Sequence, residues 1–574
     1  MPQHLDSKLP IIFFRFSIVL ISLLAALTIA CSAQTEEQAL DSLRQIVRGG
    51  MEPTEEYVAS IASRFSGKRA GALARLLHAK IKFEKRDFAG AAALLSSDDF
   101  ARKTKIGDYA SWLRGRALHE SGKHAEAVRV LNRFQSEFPD SILSRDARLV
   151  WADSMIQSGQ AAAVTTQLGE SRADPGALLR IARAYEARAD QIRAIQFYRR
   201  TYFDGAGTDE AKEAEAKLIS MGQNLTPTSA DEAAVRAEKL IAAKNWAAAE
   251  KAYSDLRTSF PAALTPAVNL KRITVYSNLR TANEAASAFA SIPASAVERE
   301  EAYYHLAQAY ARAKNWPQAR TTLEAMHRQF PNGRFTAKAW IDAGMEARAA
   351  KNRLEEQALL RAAVANLPNA VEVAAAQFEL AWIEHDRGDH SRASQMLIEH
   401  LARYVDKDTT NRGKAGYWAA RESELAGRFA DACALYDGVI YRYSANWYGH
   451  LAQQRLQAIK SQGRCSGASG NPLVTKAIAN LRTVTVAPET SGPREMVRIE
   501  KSVDLSHATL DDWAINELET ARRTAQNSPK INLALAKRYR ERGDNVNAFL
   551  ALAKSYPDYS QMFPEEMGRE EWDI

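Results

Sequence analysis

The sequence predicts an all-α fold, an α-solenoid of stacked helix pairs followed by a small helical C-terminal module. Three observations point there. About 100 of the 574 residues are Ala, the strongest helix former, whereas Gly and Pro number only 28 and 18. An all-β chain needs turn residues about every 8–12 positions, so this composition argues against one. Small and large apolar residues recur at a spacing that suits pairs of packed helices, and no Ser/Gly/Pro-rich linker interrupts them before residue 461. Collagen-like, low-complexity and disulfide-scaffold classes are excluded on the same counts.

Residues 1–30 read as an export signal. Lys8 and Arg15 precede an apolar run from Phe16 to Ala30. Fifteen residues at helical rise span about 22 Å, short of the ~30 Å hydrocarbon core, so a removed leader fits better than a spanning helix. Leu27-Thr28-Ile29-Ala30-Cys31-Ser32 resembles a bacterial lipoprotein box, which would place a diacylglycerol on Cys31. Thr28 stands where that box usually has Leu, and Cys31-Ser32-Ala33 also suits ordinary cleavage. A periplasmic protein attached to the envelope through a lipid at Cys31 is the expectation, with no other membrane contact.

Residues 31–460 carry the repeats. In Leu118–Pro139, Gly122 marks a turn, Ala127 follows five residues later, Leu131 and Phe134 follow in turn, and Pro139 closes the unit. With Gly115 upstream, this matches the 34-residue tetratricopeptide pattern. Leu306, Ala307, Tyr310, Ala319, Leu323 and Pro331 make a second copy around Lys314-Asn315, and Ala237, Ala249, Tyr253 and Pro261 a third around Lys244-Asn245. Further units centre on Ala91, Ala194, Ala393, Ala432 and Ala548. One small residue per helix lets two backbones approach, larger neighbours fill the groove, and proline ends the second helix. The gaps Ala249–Ala319 and Ala319–Ala393 each read as two degenerate units. The predicted architecture is a right-handed α-superhelix of tetratricopeptide-like helix pairs.

Residues 461–493 break the pattern with Gly463, Gly467, Gly470, Pro472, Pro488 and Gly492. They read as a connector holding one short helix near Leu473–Arg482, and 494–574 as the helical C-terminal module. The acidic tail from Pro564 to Asp573 reads as a solvated linker. Cys433 lies in a helical pattern and Cys465 in the Gly-rich loop; a disulfide is possible in an oxidising compartment, but two free thiols are the preferred reading.

Chemistry is sparse. The formal charge of +7 is spread over alternating acids and bases, as in Glu298-Arg299-Glu300-Glu301, so no basic stripe suggests a nucleic-acid partner. Eleven His are scattered without His-Glu-x-x-His or a Cys/His ligand spacing, and no phosphate loop or nucleophile elbow occurs. No metal, cofactor or catalytic residue is therefore expected. Trp112, Trp151, Trp246, Trp316, Trp340, Trp382 and Trp418 fall at repeat positions and read as core residues, one or two of which could line a sugar-binding face.

At 445–456 the sequence Ala-Asn-Trp-Tyr-Gly-His-Leu-Ala-Gln-Gln-Arg-Leu carries a string, Trp447, Tyr448, Gly449, Leu451, Ala452, Arg455 and Leu456, that resembles the end of the superhelical domain of soluble lytic murein transglycosylases. The run Leu535-Ala-Lys-Arg-Tyr through Phe563-Pro-Glu-Glu-Met resembles that family's linker domain. The resemblance implies a U-shaped superhelix and a linker domain that assemble with a lysozyme-like catalytic domain around a glycan strand. It gives the string a structural role and makes peptidoglycan strands, or a separate or missing catalytic domain, the expected partners. The family's catalytic Glu sits in Glu-Ser followed by Gly-Leu-Met-Gln, after the linker. Glu-Ser pairs occur here at Glu120, Glu170 and Glu422, none followed by that tetrapeptide, so none inherits the role. The resemblance thus implies the non-catalytic part of an enzyme that yields 1,6-anhydro-muramyl products. The alternative is a tetratricopeptide-like envelope scaffold that binds proteins.

Overall fold

The computed structural model describes residues 34–169, 174–370, 372–404 and 411–574. Residues 1–30, read above as an export signal, and Cys31 and Glu170 lie outside them. The described residues form an α-solenoid of helix pairs joined by short turns, with no strand among them. No described helix is long and apolar enough to cross a membrane.

One local device builds the pairs. The first helix ends on a residue in the left-handed region, such as Lys244 (φ 55°), Lys314 (φ 61°), Lys351 (φ 59°) or Gly388 (φ 77°). The next residue caps the second helix: Asn245, Asn315, Asn352 and Asp389 each accept from the backbone N–H three positions on. Four residues after the cap comes the close-approach position, where Ala249, Ala319 and Ala393 are fully buried. Phe260 and Phe330 terminate second helices just before Pro261 and Pro331, which cannot continue them. Both degenerate gaps hold a pair: Pro266–Leu279 with Ala282–Ala290, and Thr336–Ala349 with Arg353–Asn366. Ala285 takes the close-approach position in the first, the buried Glu356 in the second.

Residues group into two compact units. One joins the described residues up to Ser154 to Pro488–Ala551. Its core includes Tyr109 stacked on Trp513 at 5.2 Å and Trp112 edge-on to the same ring at 5.5 Å. Around them lies a buried polar network. Asp504 accepts from Arg69 Nη2 at 2.6 Å and from the Lys105 N–H at 2.7 Å. Asp108, 1 % exposed, accepts from Ser141 Oγ at 2.7 Å and pairs with Lys501. Fully buried Glu517 accepts from Tyr109 Oη at 3.1 Å and pairs with Arg498. Burial pushes the Glu517 carboxyl up, against the pull of Lys501 and Arg498.

The other unit comprises Met155–Ala487 and Leu552–Asp573. Its cores follow one another along the stack, from Tyr253 and Leu256, through Leu323, Met326 and Leu360, to Leu397, Leu435 and Tyr436. Bonds one repeat apart hold the register: Arg312 Nε to Glu346 at 2.9 Å, Tyr304 Oη to Asp342 at 2.8 Å, Arg199 Nη2 to Glu232 at 2.9 Å.

Two expectations are corrected here. Cys433 and Cys465 are not free thiols but a disulfide, with Cα atoms 5.9 Å apart. Cys433 lies in the first turns of helix Phe429–Tyr443, and the antiparallel helix Trp447–Ser461 brings the Gly463 turn back to the same end. The acidic tail is corrected only in part: Glu565, Glu570 and Asp573 are exposed as a solvated linker requires, but Glu566 and Glu571 are tied back. Glu566 receives Arg442 Nη2 at 2.8 Å, Arg442 lies over the Phe563 ring at 4.5 Å, and Tyr556 Oη donates to Glu571 at 3.2 Å. Within 461–493 the helix runs Pro472–Leu481. The β-branched stretch after it forms no strand and is fixed to residues 552–573 by Thr485 N–H to Asp558 at 2.9 Å and Ala487 N–H to the Ser555 carbonyl at 2.8 Å.

Candidate functional site in the last helix pairs

The Trp447–Leu456 string opens helix Trp447–Ser461, which begins after a tight turn from Tyr443. Asn446 caps it, its side chain accepting from the Gly449 N–H at 3.0 Å. The turn drives the helix start against the carbonyl of Tyr443: a Cβ on Gly449 would stand 1.8 Å from that oxygen and 2.4 Å from its carbon. Only glycine fits such an approach. Ala452 and Leu456 are buried in the core with Tyr436 and Val439, and Tyr448 and Leu451 pack against its margin.

Arg455 reaches back one helix pair to Glu424, with Nε 3.2 Å from Oε2. Glu424 also receives Tyr436 Oη and Arg421 Nη1, both at 2.8 Å. Burial opposes the charge on Glu424, but Arg455, Arg421 and Tyr436 outweigh it and hold the carboxyl below its usual range. Burial, aided by the Glu424 charge, pushes the Tyr436 hydroxyl up. Trp447 differs from the rest of the string: it is 67 % exposed, tilted beside His450 at 6.2 Å.

The seven tryptophans at repeat positions lie in the core or at its edge. Trp112, Trp151 and Trp340 are buried, and Trp246, Trp316, Trp382 and Trp418 are half-buried. Trp382 and Trp418 meet edge to face at 5.0 Å in the pairs just before the string.

Beside them lies a constellation the sequence did not disclose. Glu422, in the last turn of helix Arg412–Leu425, is fully buried. Its two oxygens face His385 Nδ1 at 2.9 Å and His390 Nδ1 at 2.8 Å. His385 ends helix Val373–Asp386 and His390 starts helix His390–Arg403. Of the Glu-Ser pairs, Glu120 is exposed at a helix end, while Glu422 is enclosed by its two imidazoles. A general acid must reach the leaving-group oxygen, and among the described residues both oxygens of Glu422 are taken up by His385 and His390.

Comparison with known proteins gives the repeat. The tetratricopeptide repeat family matches residues 109–141 and 301–333. No curated protein matches the chain in sequence. Similar solved structures include the 70-kDa soluble lytic transglycosylase Slt70 of Escherichia coli, at 12% identity over 84% of this chain and 70% of that one, with a TM-score of 0.39. The anaphase-promoting-complex assembly Cut9-Hcn1 matches at 11% identity over 86% and 94%, with a TM-score of 0.21. Yeast Tom70 matches at 12% identity over 88% and 93%, also at 0.21.

Proposed function

We propose that this chain is the superhelical and linker region of a periplasmic lytic murein transglycosylase system, which holds peptidoglycan strands, or the catalytic domain that cleaves them, and does not itself cut the glycan. The Trp447–Leu456 string carries the reading. Its Gly449 approach, Ala452 and Leu456 core contacts and Arg455–Glu424 pair give the motif a packing role, and Trp447 is left with an open indole face on which a sugar ring can stack. Surface Arg and Lys supply partners for the carboxylates of murein peptides. The Cys433–Cys465 disulfide supports the oxidising compartment that the N-terminal leader and a lipid at Cys31 would imply. Cleavage to the 1,6-anhydro product belongs, in this reading, to a lysozyme-like domain in this or a separate polypeptide.

The tetratricopeptide matches at 109–141 and 301–333 favour a second reading, an envelope scaffold whose helix pairs bind protein segments. Co-sedimentation with purified murein sacculi separates the two. The first reading expects the chain in the pellet and a severalfold loss of binding in Trp447→Ala with the fold intact. A chain that stays in the supernatant while capturing a defined envelope protein supports the scaffold instead. Release of anhydro-muropeptides by the purified chain alone would overturn both.

A further inference from the structure

We propose that His385, His390 and Glu422 form a binding site for a divalent transition-metal ion of the zinc type. The site does not rest on the murein reading; it rests on geometry, donor chemistry and an electrostatic imbalance.

The geometry comes from three successive helices. The turn Arg387-Gly388-Asp389, with Gly388 at φ 77°, reverses the chain between the two histidines and sets both imidazoles on one side of it. Glu422 enters from the following helix, 32 residues beyond His390. One donor atom from each residue lies within 4.8 Å of the other two. With metal–ligand distances of about 2.0–2.1 Å, a tetrahedral ion spaces its ligands by about 3.3 Å, so side-chain rotation has to open the 2.8 and 2.9 Å contacts, which run to different oxygens of Glu422, and close the wider donor spacings, up to 4.8 Å, to that value.

The imbalance is the charge on Glu422. Both oxygens are buried, and no Lys or Arg pairs with it among the described residues; the two imidazoles are its neighbours. A buried carboxylate is costly without a cation; an imidazole becomes one on protonation, and a divalent ion would supply a stronger one in its place. Other buried acids in this chain have theirs, as Glu517 has Arg498 and Asp108 has Lys501.

Two imidazole nitrogens and one carboxylate oxygen form a borderline donor set, suited to zinc, cobalt, nickel or copper and unsuited to calcium or magnesium. Three protein ligands leave a position open. The histidines are 28 % and 34 % exposed, which provides both an entry path and room for water as a further ligand. On the inner side Trp418 and Trp382 lie 4.9 and 5.2 Å from the His385 ring and hold its plane. Binding needs no oxidant or leaving group: each neutral imidazole turns its proton to Nε2 and offers the Nδ1 lone pair.

The test uses the full chain without a histidine tag, stripped with EDTA and titrated with zinc chloride by calorimetry and with cobalt chloride by visible absorption. The expected result is one ion per chain, a rise in thermal midpoint on zinc addition, and affinity at least about 100-fold weaker in His385→Gln, in His390→Gln and in Glu422→Gln. Should Glu422→Gln fail to fold, the two half-exposed histidines carry the test, with circular dichroism confirming their helicity. No saturable uptake by the native chain overturns the proposal, since the histidines then serve only as hydrogen-bond donors to Glu422. Uptake unchanged in the double variant His385→Gln/His390→Gln overturns it equally.

Discussion

Gly449→Ala isolates the physics of the Trp447–Leu456 string. In an ordinary helix interior the change stabilises by about 1 kcal/mol, because Ala loses less backbone entropy. At Gly449 the new methyl would lie 1.8 Å from the Tyr443 carbonyl oxygen and 2.8 Å from Ser444 Cα. Real Cβ contacts stay beyond 3.0 Å, so the helix start must retreat by more than 1 Å from backbone that a rotamer change cannot move. Overpacking against side chains costs about 1–3 kcal/mol, and backbone belongs at the upper end. The retreat also pulls Gly449 N–H away from Asn446, a cap worth about 1 kcal/mol. After the propensity gain, the net loss is about 2–3 kcal/mol.

Repeat arrays need not unfold in one step, so local opening is the better readout. At about 1.4 kcal/mol per factor of ten, amide hydrogen exchange over helix Trp447–Ser461 should speed up roughly 30- to 150-fold. Gly438→Ala provides the comparison. Its methyl meets Ile478 Cγ2 at 3.2 Å, a side chain that can give way, so the change should stay within about 1 kcal/mol of neutral. If Gly449→Ala is as well protected as the native chain, the close approach does not explain the glycine and the packing account of the string fails.

Lys501→Ala should destabilise the unit containing Asp108 and Glu517 by about 3–5 kcal/mol, because it strips a cation from two buried carboxylates; proteolysis at the Pro493–His507 helix would report it, and a silent substitution would refute the network. Cys433→Ser/Cys465→Ser should cost about 3–4 kcal/mol for a bridge spanning 32 residues, seen as a lower thermal midpoint and mimicked by dithiothreitol on the native chain. His305 and His507 are each pulled down to about 4, by burial first and then by neighbouring cations: Arg312 and Lys338 for His305, Arg44, Arg69 and Arg538 for His507. Folding keeps them neutral while the unfolded chain takes up protons below about 6.5, so their contribution is complete above that pH and is lost as pH falls towards 4. A His305→Asn/His507→Asn variant should show a shallower loss of thermal midpoint between pH 6.5 and 4, and an unchanged slope would refute the assignment.

What the sequence disclosed was local, and what it hid was distant. Turn, Ala127-type small position and closing proline all fall within one repeat, so composition and spacing reveal them. The His385–His390–Glu422 constellation straddles a turn and the next helix pair, and its spacing matches no helical ligand motif. Asp108 meets Lys501 across 393 residues, which no pattern along the chain announces. Cys433 and Cys465 lay within reach of the argument: a helix pair returns the chain to its starting end, so a separation of 32 residues already places two cysteines on one side of the stack.

The repeats also show which local signal is the more faithful. Alanine at the close-approach position fails where Glu356 replaces it, fully buried, with Arg353 Nη1 3.4 Å from Oε2 and Arg348 Nε 3.9 Å from Oε1, which takes no hydrogen bond from the described residues. The turn before it does not fail: Lys351 is left-handed and Asn352 caps the helix, as in its neighbours. Five of the turns that place a non-glycine residue in the left-handed region, at Arg86, Ala189, Lys244, Lys314 and Lys351, follow it with an Asp or Asn whose side chain caps the next helix. Where glycine holds the position no cap is required: Lys123, Gln160 and Arg428 after Gly122, Gly159 and Gly427 make no such bond, although Asp389 after Gly388 and Asp544 after Gly543 do. Left-handed strain on a side-chain-bearing residue costs about 1–2 kcal/mol and a cap returns about 1, so the two choices are nearly equivalent in energy. A reader of such chains who seeks a basic residue or alanine before Asn or Asp, or else a bare glycine, finds the Glu356 repeat that an alanine rule leaves as a gap.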